Sequence, residues 1–232
     1  MAETKTAQGL VEYANAQLGK PYWYGTYGNT ASKGLYDYKK KQYPKYYTAK
    51  DFPAQYGQRV HDCVGLIKGY LWSDTPTSAP KYCKAQDKSA NGMYNACKVK
   101  GSINKLPEIR GLLLWRNGHI GVYIGNGYAI EARGHEYGVV KTRVKDRNWT
   151  NWAKCVYIKY DDVSTDVKTG YKVTIEKGAM YGGASKGVKV PDRYTDGDVF
   201  TVNKVQINNG QKEARLTELV SWVPVKYLHV VS

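Results

Sequence analysis

The sequence predicts an α+β domain followed by a small all-β barrel. Three observations carry this prediction: apolar residues recur at helical spacing in the first 72 residues, strands rich in β-branched and aromatic residues run from Leu112 to Tyr160, and short alternating strands fill the chain after residue 169.

In the first helix Ala7, Leu10, Val11, Ala14 and Leu18 share one face. Thr6 supplies an N-cap, and Gly19 followed by Pro21 ends it. A second helix begins near Cys63, where the apolar run Val64 to Leu71 follows His61-Asp62 and the aspartate suits the helix start. Strands are expected at Leu112 to Trp115, Ile120 to Ile124, Tyr128 to Ala132, Val139 to Val144 and Cys155 to Tyr160. The polar stretch after Ile158 marks a linker over residues 163–169, which separates a domain of residues 1–162 from one of residues 170–232. In the latter, strands are expected at Tyr171 to Ile175, Val199 to Val205, Glu213 to Leu216 and Trp222 to Val225, with a turn at Asn208-Asn209-Gly210.

With 42% hydrophobic and 24% charged residues and no low-complexity tract, the composition excludes disordered and fibrous classes. No run reaches the roughly 18 apolar residues of a membrane span. The first residues lack the basic and apolar regions of a secretory signal, so a cytoplasmic protein is expected, and one that acts outside the cell would depend on release by other means. A net charge of +15, most of it before residue 166, points to a polyanionic partner: nucleic acid, an anionic membrane surface or an anionic cell-wall polymer. The stretch from Tyr36 to Tyr47 interleaves tyrosines with lysines and could stack on bases or sugars. Its simpler reading is a solvated loop whose tyrosines pack on the domain.

The cysteines at 63, 83, 97 and 155 form no C-x-x-C pair and have no histidine at zinc spacing, so no metal and no cofactor is expected. Cys83 and Cys97 could pair in an oxidising compartment or remain free thiols. Cys63 stands where a helix N-terminus favours a thiolate, which makes it a candidate nucleophile. Among the histidines, His119 opens a rigid strand between Gly118 and Gly121 and is the best candidate base, whereas His61 lies two residues from Cys63 across a bend. A third group must fix the imidazole tautomer. A two-residue loop at Asn126-Gly127 would put Glu131 on the face away from His119. A three-residue loop at Gly125-Asn126-Gly127 puts it opposite Gly121 and on the same face as His119. His135 and Glu136 are alternatives.

These motifs occur in the order Leu18-Gly19-Lys20-Pro21-Tyr22-Trp23-Tyr24-Gly25, His61-Asp62-Cys63-Val64-Gly65-Leu66-Ile67 and Gly118-His119-Ile120-Gly121-Val122-Tyr123-Ile124-Gly125-Asn126-Gly127. Over residues 5 to 160 the chain thus resembles the NlpC-type cysteine peptidases, papain-like enzymes that cut peptidoglycan stem peptides. The resemblance implies Cys63 as nucleophile, His119 as general base and Glu131 as the third member, with Tyr22 beside the thiolate and Asp62 in support. Valine replaces the usual serine after the nucleophile, and an insertion near residues 28–58 separates Pro-Tyr from the cysteine. Glutamate as third member is more usual in the related CHAP-type amidases. The segments Lys177 to Ser185 and Ser221 to Leu228 are similar to bacterial SH3-like wall-binding domains of phage endolysins, with Tyr181, Tyr194 and Trp222 as candidate anchors. The implied activity is cleavage of the stem peptide between γ-D-glutamate and the diamino acid, as an endolysin attracted to an anionic wall. The alternatives are a muramoyl-alanine amidase on the same scaffold, or a non-catalytic binder of wall or nucleic acid, of which nucleic acid is the less expected partner.

Overall fold

The computed structural model describes residues 4–160, 167–209 and 211–231. The chain divides into two compact units, Met1–Tyr160 and Asp161–Ser232. Of the expected linker, residues 163–166 lie outside the described residues, as does Gly210 of the expected Asn208-Asn209-Gly210 turn.

The first unit runs α1 (Ala7–Ala16), β1 (Tyr27–Thr30), α2 (Lys33–Gln42), β2 (Arg59–His61), α3 (Cys63–Trp72), α4 (Ala90–Ala96), β3 (Lys100–Ser102), β4 (Leu113–Arg116), β5 (His119–Gly125), β6 (Tyr128–Ala132), β7 (Val139–Arg143) and β8 (Asn151–Ala153). The Thr6 hydroxyl caps α1 by accepting from the Gly9 N–H, and Asp62 caps α3 by accepting from the Gly65 N–H. The sheet is antiparallel in the order β3-β8-β4-β5-β6-β7. Both of its faces are covered. Ile120, Val122 and Ile130 pack with Leu10, Leu66 and Ile67 of the helices, while Leu112, Leu114, Tyr123, Ala129 and Trp149 form a second cluster. Alternation along β5 therefore puts His119 and Gly121 on the Tyr123 face, away from Ile120 and Val122.

In the first unit the structure adds α4, β3 and β8 to the expected elements and departs from them at residues 155–160 and in the insertion. Residues 155 to 160 are not a strand, and the last strand of the sheet is β8. After it the chain turns, with Ile158 N–H donating to the Cys155 carbonyl, and Lys159 pairs with the segment ahead of α1 through Ala7 N–H to Lys159 O at 2.9 Å. The Tyr/Lys-rich insertion is also more than a loop. Ser32 caps a helix over Lys33–Gln42, and β1 pairs antiparallel with β2 across the ends of the insertion. A satellite core forms around the fully buried Trp23, whose ring meets Phe52 at 5.2 Å and Tyr47 at 5.9 Å, both edge-on.

The second unit contains β9 (Lys172–Ile175), β10 (Phe200–Asn208), β11 (Gln211–Leu216), β12 (Ser221–Pro224) and β13 (Leu228–Val231). They form an antiparallel sheet in the order β12-β11-β10-β9-β13 around a core that includes Val173, Phe200, Val202, Leu216 and Val223. Among the described residues no ladder joins β12 to β13, so the expected closed barrel is an open five-stranded sheet.

Candidate active site

Cys63 is the first residue of α3, and its side chain is half-buried. Asp62, at the N-cap, accepts from Gly65 N–H at 2.6 Å and Gly25 N–H at 2.8 Å, which ties the helix start to the segment after Tyr24. Gly65 admits this approach because it has no side chain: an added Cβ would collide with the Thr26 carbonyl. The backbone N–H groups of Ile120, Val64 and Cys63 favour the thiolate, but burial and the Asp62 carboxylate prevail and push the thiol up to about 12. The thiolate expected from the helix position alone is therefore not the resting form of an isolated Cys63, which needs a base.

The candidate base, His119, is positioned by two turns. Arg116 pairs with His119 across the Asn117-Gly118 turn, where Gly118 adopts φ +75°. Asn91 of α4 holds the turn through its Oδ1, which accepts from Gly118 N–H at 2.8 Å and Trp115 Nε1–H at 3.1 Å. At the next turn Asn126 and Gly127 form the two-residue tip, with φ +54° and +74°, and Gly125 pairs with Tyr128. A bulge between Tyr123 and Gly125 then shifts the register so that Val122 pairs with Ile130. The expected odd offset is reached by a two-residue tip plus a bulge, not by a three-residue loop. It sets Glu131 opposite Gly121, on the face of His119.

The consequence is a direct bond: His119 Nε2 lies 2.7 Å from Glu131 Oε2. Glu131 is fully buried and also accepts from Thr142 Oγ1 at 2.8 Å and from Arg147, at 2.7 Å through Nε and 3.0 Å through Nη2. Burial opposes ionisation, but these donors outweigh it and hold the Glu131 carboxyl down at about 2. An ionised Glu131 keeps the Nε2 proton on the imidazole, leaving Nδ1 as the basic nitrogen. The Trp149 ring stacks on the imidazole at 5.3 Å with 13° between planes. His119 is thus held at the edge by a carboxylate and on the face by an indole. The backbone N–H of its neighbour Ile120 is among the groups that favour the Cys63 thiolate.

The remaining candidates separate clearly. Burial, and after it the nearby Asp62 and Cys63, raise the Tyr22 phenol above its ordinary value. His61 is fully buried, its Nε2 is 3.0 Å from Tyr13 Oη, and burial drives its pKa down to about 3. His135 Nε2 bonds Asp51 Oδ1 at 2.6 Å instead of reaching His119, and Glu136 is exposed. All four cysteines are free, and no cluster among the described residues could hold a metal. Thr142, Arg147, Trp149 and Asn91 were not foreseen. Only the Arg147-Asn148-Trp149 segment carried a signal, as a cation and an aromatic close behind the predicted strands. In the second unit, Tyr181 and Tyr194 pack partly against the core. Trp222 is half-buried against Gly183, and its carbonyl accepts from Gly182 N–H at 2.9 Å, which places it beside the Tyr181 segment.

A cleft of about 720 Å³ is lined by Asp62, Cys63 and Val64 and, from the insertion, by Tyr38, Lys39 and Tyr43. Lys68 also lines it and is paired with Asp87 at 2.7 Å. No helix among the described residues is long and apolar enough to cross a membrane.

No protein-family model and no curated protein matches the chain. Similar solved structures include the peptidoglycan hydrolase RipB from Mycobacterium tuberculosis, with 23% identity over 66% of this chain and 67% of that chain and a TM-score of 0.39. The P60 domain of an antigen from M. avium subspecies paratuberculosis has 19% identity over 66% of this chain and 96% of that chain, with a TM-score of 0.41. The NlpC/p60 domain of the peptidoglycan hydrolase SagA has 16% identity over 64% of this chain and 98% of that chain, with a TM-score of 0.37.

Proposed function

We propose that the chain is a peptidoglycan hydrolase in which Cys63 attacks a stem-peptide amide and His119, oriented by Glu131, carries the proton. The observation behind this reading is the His119–Glu131 bond at 2.7 Å, on the strand whose next residue, Ile120, has a backbone N–H that favours the Cys63 thiolate. In this mechanism the thiol proton passes to His119 Nδ1 as sulfur attacks the carbonyl carbon. N–H groups at the start of α3 receive the developing oxyanion. The imidazolium then protonates the leaving amine, and water, deprotonated by the same nitrogen, releases the acyl group and regenerates the thiol. Glu131 stays ionised throughout, since its other oxygen contacts come from Arg147 and Thr142.

The finer assignments follow the motif resemblance: a papain-like endopeptidase that cuts between γ-D-glutamate and the diamino acid, with the second unit as an SH3-like wall-binding module using Tyr181, Tyr194 and Trp222. In this reading the enzyme is of the endolysin type, made in a host cytoplasm and acting on the wall after release. The net charge of +15 would draw it to an anionic envelope.

The test is turbidity loss of Gram-positive walls with wild type and Cys63→Ala under reducing conditions, with mass spectrometry of the soluble fragments. Lysis lost in the variant, with fragments ending in γ-D-glutamate, supports the endopeptidase. Stem peptides beginning with L-alanine would instead make it an amidase. Equal behaviour of the two proteins would remove Cys63 as nucleophile.

A further inference from the structure

We propose that Lys39, contributed by the insertion, is a carboxylate-binding subsite beside Cys63, so that the preferred substrate carries a free carboxylate next to the scissile amide. This deepens the hydrolase reading and rests on it.

Of the three consecutive lysines at 39, 40 and 41, Lys39 is half-buried and lines the cleft, whereas Lys40 and Lys41 are exposed. Its ammonium lies over the rings of Tyr38 and Tyr43, at 5.3 Å and 5.7 Å from their centroids. Its hydrogen-bond acceptor within the chain is the neutral Gln42 Oε1, at a long 3.4 Å. Among the described residues no carboxylate reaches ion-pair distance of Lys39. Asp62 and Asp87 act on it only from farther off, and burial lowers its pKa. The contrast with Lys68 is direct, because that lysine of the same cleft already holds Asp87 at 2.7 Å. A desolvated ammonium without a counter-ion costs free energy that an incoming anion would recover.

The position of Lys39 selects the kind of anion. Its Nζ stands 3.5 Å from where a Cβ on Gly25 would lie, and the Gly25 amide bonds to Asp62, the residue before the nucleophile. The subsite is therefore next to the start of α3, where the attacked carbonyl must sit. A γ-linked glutamyl residue fits this geometry chemically, because linkage through the side chain leaves its α-carboxylate free a few bonds from the reacting carbon. The flat tyrosine faces on either side would flank the peptide without competing for that charge.

The experiment measures calorimetric binding to Cys63→Ala protein of two synthetic tripeptides, L-Ala-γ-D-Glu-L-Lys and its counterpart with the α-carboxylate as a carboxamide. The acid is expected to bind about tenfold more tightly than the amide. Adding Lys39→Met, which keeps the aliphatic stem, should abolish that difference, and Lys39→Arg should restore most of it. Thermal melting of each variant controls for folding. An undiminished preference in Lys39→Met, or no preference in Cys63→Ala itself, absent binding included, overturns the proposal. Because binding is read apart from turnover, the two ideas fail separately. Wall lysis by wild type without a carboxylate preference removes only the subsite, and a Lys39-dependent preference in a protein that hydrolyses nothing removes only the hydrolase reading.

Discussion

His119 Nε2 and Glu131 Oε2 stand 2.7 Å apart across adjacent strands, and the register that aligns them is set by a single bulge between Tyr123 and Gly125. The carboxylate at the other end of this bond is fully buried and gripped by Arg147, so the ring can neither rotate nor change tautomer without breaking a charged network.

Glu131→Gln is expected to lower turnover about tenfold or more while the protein still folds, since the amide cannot satisfy His119 and the Arg147 fork together. The same residue predicts a stability profile. Its folded pKa of about 2 lies below the ordinary 4.5, so the unfolded chain takes up the proton first. The stabilisation is full above pH 4.5 and is lost as pH falls toward 2, by about 3 kcal/mol at most. Denaturant melts of wild type and Glu131→Gln across this window should converge at the acid end. A parallel pair of curves would remove the assignment.

In the proposed mechanism the raised Cys63 thiol depends on His119 to lose its proton. In His119→Ala, alkylation by iodoacetamide at pH 7 is expected to be at least about tenfold slower than in wild type, and to climb with pH toward the thiol value of about 12. Equal labelling rates in the two proteins would show that His119 does not share the thiol proton.

His61 gives an effect on stability in a different window. Its folded value of about 3 is below the ordinary 6.5, so the unfolded state binds the extra proton and stability drops as pH falls from 6.5, by up to about 1.4 kcal/mol per unit. Between pH 6.5 and 4.5 the Glu131 contribution is still constant, and His61→Gln should flatten the slope there without moving the pH optimum of hydrolysis. A shifted optimum would return His61 to the list of candidate bases.

Two glycine substitutions should part in sign. Gly65→Ala drives a methyl into the Thr26 carbonyl at the very turn that presents Cys63, and is expected to cost about 3 kcal/mol or more and to abolish activity. Gly34→Ala, in α2 with open space around it, should raise stability by about 0.5–1 kcal/mol. Chemical denaturation of both variants checks the contrast.

The helix caps at Thr6 and Asp62 and the strands from Leu113 to Arg143 were legible in the sequence, because each depends on residues within a turn or a strand of one another. Glu131 was legible only as one of two registers, since a bulge at Ile124 leaves no compositional mark and tertiary packing decides whether it forms. The pairing of Arg147 and Thr142 with Glu131 and the stacking of Trp149 on His119 join segments whose proximity only the folded sheet creates. The same holds for the insertion. Its tyrosines and lysines read as a solvated loop until β1 and β2 close its ends, Trp23 gathers Tyr47 and Phe52, and Lys39 is turned into the cleft. Local chemistry determined which residues could react; the fold decided their partners, because burial and register are properties of distant segments brought together.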